Sequence, residues 1–330
     1  MKQVISFRAG RAALLTGIAS TLLLSGCATG QDVEAASDGD DGTRTVTHVY
    51  GETDIPTDPQ RVVSVSVTAT APLLSLDAPV VASFTTGRSE LTDDKGFFGQ
   101  WAGTADERGV EALPGPEINV EAVANAAPDV IVGSGFGAAA VDEAVYAQLS
   151  EIAPTVVYDS SDSAWQDVTE EMGAALGRED RAAEILQEYD ALTEETAKKL
   201  DADHDVVILT LAGENFNVFS PVSAQGRFAD DLGLTTHEMD GSVARAQEGR
   251  SDIAQVSLED AEEFGDSTLL FVNTRGEEAA DYLDEVPVLS SLPAGEEDRI
   301  FTLGPESFRI DYYSAPIVAD RLVELLGSGS

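Results

Sequence analysis

Apolar positions along this chain follow two alternating rhythms. Arg61 to Val67, Val80 to Phe84, Val130 to Val132 and Thr155 to Tyr158 are short runs rich in β-branched residues, the length and composition of buried strands. Between them, Val120 to Ala126 and Val141 to Leu149 carry helical spacing. Thr45-Val46-Thr47-His48-Val49-Tyr50 alternates polar and apolar positions, as an edge strand does. Strands alternating with helices predict an α/β fold with mainly parallel sheets covered on both faces.

The middle of the chain changes character. From Trp165 to Leu200 helical residues dominate, with a break near Gly177. Beyond it Ala182, Ile185, Leu186, Tyr189, Leu192 and Thr196 recur every three or four positions, giving one apolar stripe. Read from Glu179 to Leu200, this is one helix of about 22 residues and about 33 Å, long enough to tie two lobes together. The α/β rhythm then resumes with Val206 to Leu211, a helix around Arg227 to Leu232, Thr268 to Val272, Ile300 to Thr302 and a closing helix from Ser314 to Leu326. The expected organisation is a lobe over 44–162, a helical segment with the interlobe helix over 163–203, and a second lobe over 204–330. Self-similarity at a period of 20 to 50 residues, the mark of solenoids and propellers, is absent from the sequence.

The N-terminus reads as an export signal over 1–26. Lys2, Arg8 and Arg11 precede an apolar stretch, Ala12 to Leu24, that is shorter than the roughly 20 residues a membrane span needs. It ends in Leu24-Ser25-Gly26-Cys27, which resembles a bacterial lipobox, so Cys27 is the expected acylation site, placing the protein on the outer face of the cell membrane. Cys27 is the sole cysteine, which excludes an intramolecular disulfide. Residues 27–43 are poor in apolar side chains and rich in Asp, Glu, Gly and Ser, the composition of a solvated tether. The formal net charge is -41, with 60 acidic side chains. That argues against nucleic acid or an anionic lipid surface as partner, because both are bound through clustered Lys and Arg.

Several segments together resemble the iron–siderophore and vitamin B12 substrate-binding proteins of ABC importers. Gly51 to Val63, with Pro56 and Pro59, resembles the family's N-terminal signature. Asn119-Val120-Glu121-Ala122-Val123, followed by Ala127-Pro128-Asp129-Val130-Ile131-Val132, resembles its helix-then-strand unit. Leu149 to Val156, Gln225-Gly226-Arg227-Phe228 with Leu232-Gly233-Leu234, and Ser257-Leu258-Glu259 before Thr268 to Phe271 are similar to later stretches. Leu76-Asp77 departs from the Leu-Gly pair usual after the first helix. The resemblance implies two α/β lobes joined by one rigid helix, with a ligand held in the cleft between them. It further implies a monomer that delivers a ferric siderophore to membrane permease subunits, with no permanently bound cofactor and no catalytic residues.

A cleft for such a bulky, oxygen-rich complex calls for arginine donors and aromatic faces. Only four lysines are present, so arginine supplies most of the positive charge. Arg88, Arg227, Arg275 and Arg309 each lie just past a predicted strand, and Arg227 and Arg275 also match family ligand positions. The aromatic candidates are Phe97, Phe98 and Trp101, then Phe136 among Gly133, Gly135 and Gly137, then Trp165, and last Phe308, Tyr312 and Tyr313. The glycines around Phe136 fit a tight strand-to-helix turn, not a phosphate loop, since no Lys-Ser/Thr follows. Some relatives complete iron coordination with a His and a Tyr. At the matching place this chain reads Glu248-Gly249-Arg250-Ser251, with His237 somewhat earlier, which favours a siderophore that already satisfies its iron. The resemblance also nominates Glu143 and Glu259, with Glu121 as substitute for the first, as permease-docking carboxylates.

Other readings have less to stand on. A hydrolase would need a nucleophile with a base, but the sequence has no Gly-x-Ser-x-Gly elbow and His48, His204 and His237 are scattered. Those three histidines also supply a zinc or manganese site poorly. Haem or cobalamin as cargo stays open, with Tyr312 or Tyr313 as an axial candidate for haem.

Overall fold

The computed structural model describes residues 42–137, 139–158, 164–201, 203–241, 243–246, 250–272 and 275–327. The export signal, Cys27, nearly all of the tether, Glu248 and Gly249 lie outside them.

The chain begins as a hairpin. β1 (Thr43–His48) and β2 (Gly51–Pro56) pair antiparallel as a separate two-stranded sheet. The alternating segment is thus one hairpin arm, and the first part of the signature, Gly51–Pro56, is the other. The turn residue Val49 donates from its amide to Val157 O (3.0 Å), so the hairpin covers the edge of the first large sheet.

That sheet contains β3 (Val62–Ser64), β4 (Val80–Phe84), β5 (Glu111–Leu113), β6 (Val130–Ser134) and β7 (Thr155–Tyr158) in the order β5-β4-β3-β6-β7, all parallel. Its crossovers are α1 (Val67–Ser75), α2 (Gly99–Glu107), α3 (Val120–Asn125) and α4 (Glu143–Ser150). Local chemistry starts these helices: Ser66, Asn119 and Asp142 each accept a backbone N–H of the first turn through the side chain. The motif residues at the start of β3 have a structural role. The Asp129 carboxylate accepts from the amides of Gln60 (2.8 Å) and Arg61 (3.0 Å), while the Arg61 guanidinium donates to Ala126 O and Ala127 O at the end of α3. Gly133 sits inside β6 because a Cβ there would come within 2.6 Å of Val141.

Next come α5 (Trp165–Leu176) and α6 (Glu179–Ala197), separated by Gly177 in a left-handed conformation (φ 67°). At 19 residues α6 is shorter than the sequence pattern suggests, since Lys198 caps it; it spans about 28 Å. Ala182 and Ile185 on α6 belong to the first lobe's core, Tyr189 to the second's. One helix therefore passes from one core to the other.

The second lobe holds β8 (Val206–Ala212), β9 (Asn215–Phe219), α7 (Ala224–Asp231), β10 (Arg245–Ala246), β11 (Ile253–Ser257), β12 (Thr268–Phe271), α8 (Ala279–Glu285), α9 (Pro293–Glu296), β13 (Ile300–Thr302) and α10 (Ser314–Leu326). Short 3-10 turns lie at Leu258–Phe264, Pro287–Ser291 and Pro305–Phe308. The order is β10-β11-β9-β8-β12-β13, and only β8, β12 and β13 run parallel. The expectation of mainly parallel sheets thus holds for the first lobe and fails for half of the second. The reason is local: Gly213, at φ 63°, turns β8 straight back into β9 with no room for a crossover helix. Each sheet is packed on both faces.

Candidate functional site

The carboxyl ends of the parallel strands in both lobes lead into loops that converge, and the convergence centres on Arg309. This residue follows the 3-10 turn after β13, and its guanidinium lies over two rings. Phe98 of the first lobe is at 5.3 Å and Phe308 of the second at 5.7 Å. Such stacking suits a guanidinium drawn partly out of water. Arg309 Nε is buried and has no hydrogen-bond partner among the described residues. Burial pushes the Arg309 pKa down, and Arg250 nearby pushes it the same way, against the pull of Asp311. Arg250 is itself held by Asp252 through paired contacts of 2.9 and 2.6 Å. Two guanidinium groups thus share one neighbourhood, and one has an unused donor. An acceptor-rich anion between them would relieve both the repulsion and the desolvation.

The surrounding elements fix this arrangement. Gln225, buried at the start of α7, donates from Nε2 to Ser307 O (3.1 Å) and Phe308 O (2.9 Å), which sets the backbone that presents Arg309. Arg227, half-buried, lies two residues on in the same helix. Gly226 is required here, because a Cβ would come within 2.2 Å of Ser220 O. Asp311, 7% exposed, accepts from the amides of Tyr313 and Ser314 (2.9 Å each) and from Gln100 Nε2 of the first lobe (3.2 Å). Burial raises the Asp311 pKa, and those hydrogen bonds oppose the rise.

The other nominated residues divide. Trp165, at the start of α5, packs against both lobes' cores and meets Tyr189 edge-on at 5.1 Å. Phe136 is half-buried in the turn after β6, its amide on Ser134 Oγ (3.1 Å). Phe98, at 5% exposure, lies in the first lobe's core, as do Trp101 at 1% and Phe97 at 0%. The Phe97 and Trp101 rings pack against each other at 5.3 Å, turned inward by the start of α2. Arg88 folds back on its own loop, donating to Asp94 O (2.7 Å). Arg275, four residues past β12, is ion-paired with Glu277 and with Glu285 (3.1 Å). In the same loop Gly276 lies so close to Glu90 of the first lobe that a Cβ would sit 3.4 Å from its Cγ.

Tyr312 faces the interlobe helix instead of the Arg309 cluster, and Tyr313 packs edge-on against Tyr312 at 5.2 Å with Thr104 of α2 at its phenol. The Tyr312 hydroxyl donates to Glu188 Oε2 (2.7 Å) and accepts from Arg181 Nη2 (3.0 Å). Burial pushes the Tyr313 phenol up to about 12, so it stays protonated at neutral pH. His237 lies elsewhere. Its amide donates to Val206 O at the amino end of β8, whereas Arg309 follows the carboxyl end of β13. Among the described residues, no group of three His, Cys, Asp or Glu side chains could hold a metal ion. Glu121, Glu143 and Glu259 are exposed in the first turns of α3, α4 and the Leu258–Phe264 turn, where the helix dipole favours carboxylates whatever their use.

Sequence reading missed Gln100, Asp311, Gln225 and Arg250. Arg250 stood in view, inside the segment compared with a metal-binding histidine. The others act through contacts 82 to 211 residues apart in sequence, which no local pattern reveals.

Residues 62–307 match the family model described as periplasmic binding protein. The chain belongs to that family. It is 38% identical over 320 residues to the ferric enterobactin-binding periplasmic protein FepB of Escherichia coli O6:H1, covering 95% of this chain and 97% of that protein. Among solved structures, holo-ViuP is 29% identical with a TM-score of 0.76, over 86% of this chain and 95% of that one. PiaA of Streptococcus pneumoniae TIGR4, solved in complex with ferrichrome, shares the fold at 20% identity with a TM-score of 0.68, over 86% and 97%. The two-lobe architecture is thus that of periplasmic binding proteins, and these relatives are binding proteins, not enzymes.

Proposed function

We propose that this chain captures a ferric siderophore outside the cytoplasm and delivers it to the permease of an ABC importer. The observation that carries the reading is Arg309, with an unused buried donor, aromatic rings from both lobes and a second arginine beside it. That chemistry suits a bulky anionic chelate with aromatic oxygen donors. The likeness to FepB supports a ferric catecholate of the enterobactin type over a hydroxamate. The chelate is expected to arrive with its iron fully coordinated. The Tyr312 hydroxyl is already committed to Arg181 and Glu188, and burial disfavours ionisation of Tyr313. Arg227, Phe136 and Trp165 are proposed as further contacts, Glu143 and Glu259 as permease-docking residues, and Cys27 as a lipid anchor.

The test is tryptophan fluorescence of residues 28–330, titrated with ferric enterobactin, ferrichrome, ferric citrate, haem and cobalamin. Trp165, between the lobes, is the expected reporter. Saturable quenching by ferric enterobactin at submicromolar concentration is the expected result. Saturation by haem or cobalamin alone would reassign the cargo, and silence towards every compound would remove the binding role.

A further inference from the structure

Behind the cleft, Arg181 in the first turn of α6 joins three parts of the molecule. Its Nε donates to Ser75 O (3.1 Å), at the end of α1 in the first lobe, and lies 3.8 Å from Asp77. Its Nη1 meets Glu188 Oε1 (3.1 Å) and Glu184 Oε2 (3.3 Å) on its own helix. Its Nη2 donates to the Tyr312 hydroxyl of the second lobe (3.0 Å), and its guanidinium stands 5.6 Å from that ring's centre. Tyr312 in turn donates to Glu188 (2.7 Å), which closes the triad and holds Glu188 ionised, its pKa lowered first by that bond.

What this triad grips is the segment that presents Arg309. Tyr312 is three residues beyond Arg309, and Asp311 between them is held from the first lobe by Gln100 (3.2 Å). One short piece of the second lobe is thus anchored to the first lobe at two points, with Arg309 beside them. On another flank Tyr312 borders a cavity of about 290 Å³ lined by Tyr189, Leu192 and Pro316, so on that side its hydroxyl bonds, not packing, fix its place. Arg309 itself has no such restraint on Nε.

We propose that Arg181, through Tyr312, is a positioning residue for ligand capture: the triad holds segment 309–312, and with it the Arg309 guanidinium, in register with Phe98 of the opposite lobe. The inference rests on the siderophore-binding reading above. Preorganising a donor in this way slows ligand release more than it changes encounter.

Stopped-flow and equilibrium binding of ferric enterobactin to wild type, Tyr312→Phe, Arg181→Met and Arg181→Lys test it. The same proteins, spin-labelled through Gln148→Cys and Glu263→Cys, report the distance between lobes. Tyr312→Phe and Arg181→Met are expected to weaken binding about tenfold, almost wholly through faster dissociation, and to broaden the distance distribution. Arg181→Lys, which keeps a donor, is expected to recover part of the loss. Wild-type dissociation rates and an unchanged distribution in Tyr312→Phe would overturn the proposal, and this variant removes a single oxygen, so folding is not at issue. If no protein bound the chelate, the functional reading would fail, and the distance measurement alone would decide the clamp: broadening supports it, and identity with wild type removes it.

Discussion

A guanidinium with a buried donor and no acceptor works against the fold that contains it. Arg309 is in that position: burial and Arg250 both disfavour its charge, and stacking on Phe98 and Phe308 returns only part of the cost. Replacing it with an apolar side chain of similar length removes the desolvated charge and keeps the packing. Because the buried Asp311 loses a favourable neighbour at the same time, Arg309→Met is expected to melt close to the wild-type temperature, within about 1 kcal/mol of its stability. Differential scanning calorimetry of the apoproteins checks this. A melting temperature lower by several degrees would mean that Arg309 serves the fold rather than the ligand. The contrast with Arg275 is instructive, since its close carboxylates supply in the apoprotein what Arg309 lacks on Nε.

At the scale of elements, the resemblance-bearing motifs turn out to be joints. Asp129 holds the amides that lead into β3, and Arg61 caps α3, so Pro59-Gln60-Arg61 and Pro128-Asp129 lock a strand to the neighbouring crossover. Asp129→Ala is expected to cost about 1 kcal/mol in urea unfolding, by giving two exposed amides over to water and unlocking the joint, while ligand affinity stays at the wild-type value. Loss of affinity with stability intact would place the motif in the cleft instead. These joints explain what the sequence made legible. The β-branched runs of the first lobe and the stripe of α6 carry their periodicity in consecutive residues, so both could be read directly. The antiparallel half of the second sheet could not, because it depends on the turn at Gly213 and on the short alternating run Asn215 to Phe219. In the site, Arg309 and Phe98 were legible as arginine and aromatic near strand ends. Trp101 carried the same local signal; the course of α2 buries it in one core with Phe97 and Phe98, and it is Phe98 that meets the Arg309 guanidinium.

The whole molecule sets a charge problem. A protein of net charge -41 would repel an anionic chelate at long range, but in physiological salt that field fades over about 8 Å. Under the proposed function, capture is decided by local charge, which the neighbouring guanidinium groups of Arg309 and Arg250 would supply. The single helix α6, continuous from one core to the other, limits how far those lobes can part. The proposed site is thus largely formed beforehand, with Gln100–Asp311 and Arg181–Tyr312 already bridging the lobes.

The most direct test of the account is the dissociation constant for ferric enterobactin of wild type and Arg309→Met, measured side by side by fluorescence at fixed ionic strength. The account predicts saturable binding by wild type and at least about thirtyfold weaker binding by the variant. Equal affinities in the two proteins would contradict it.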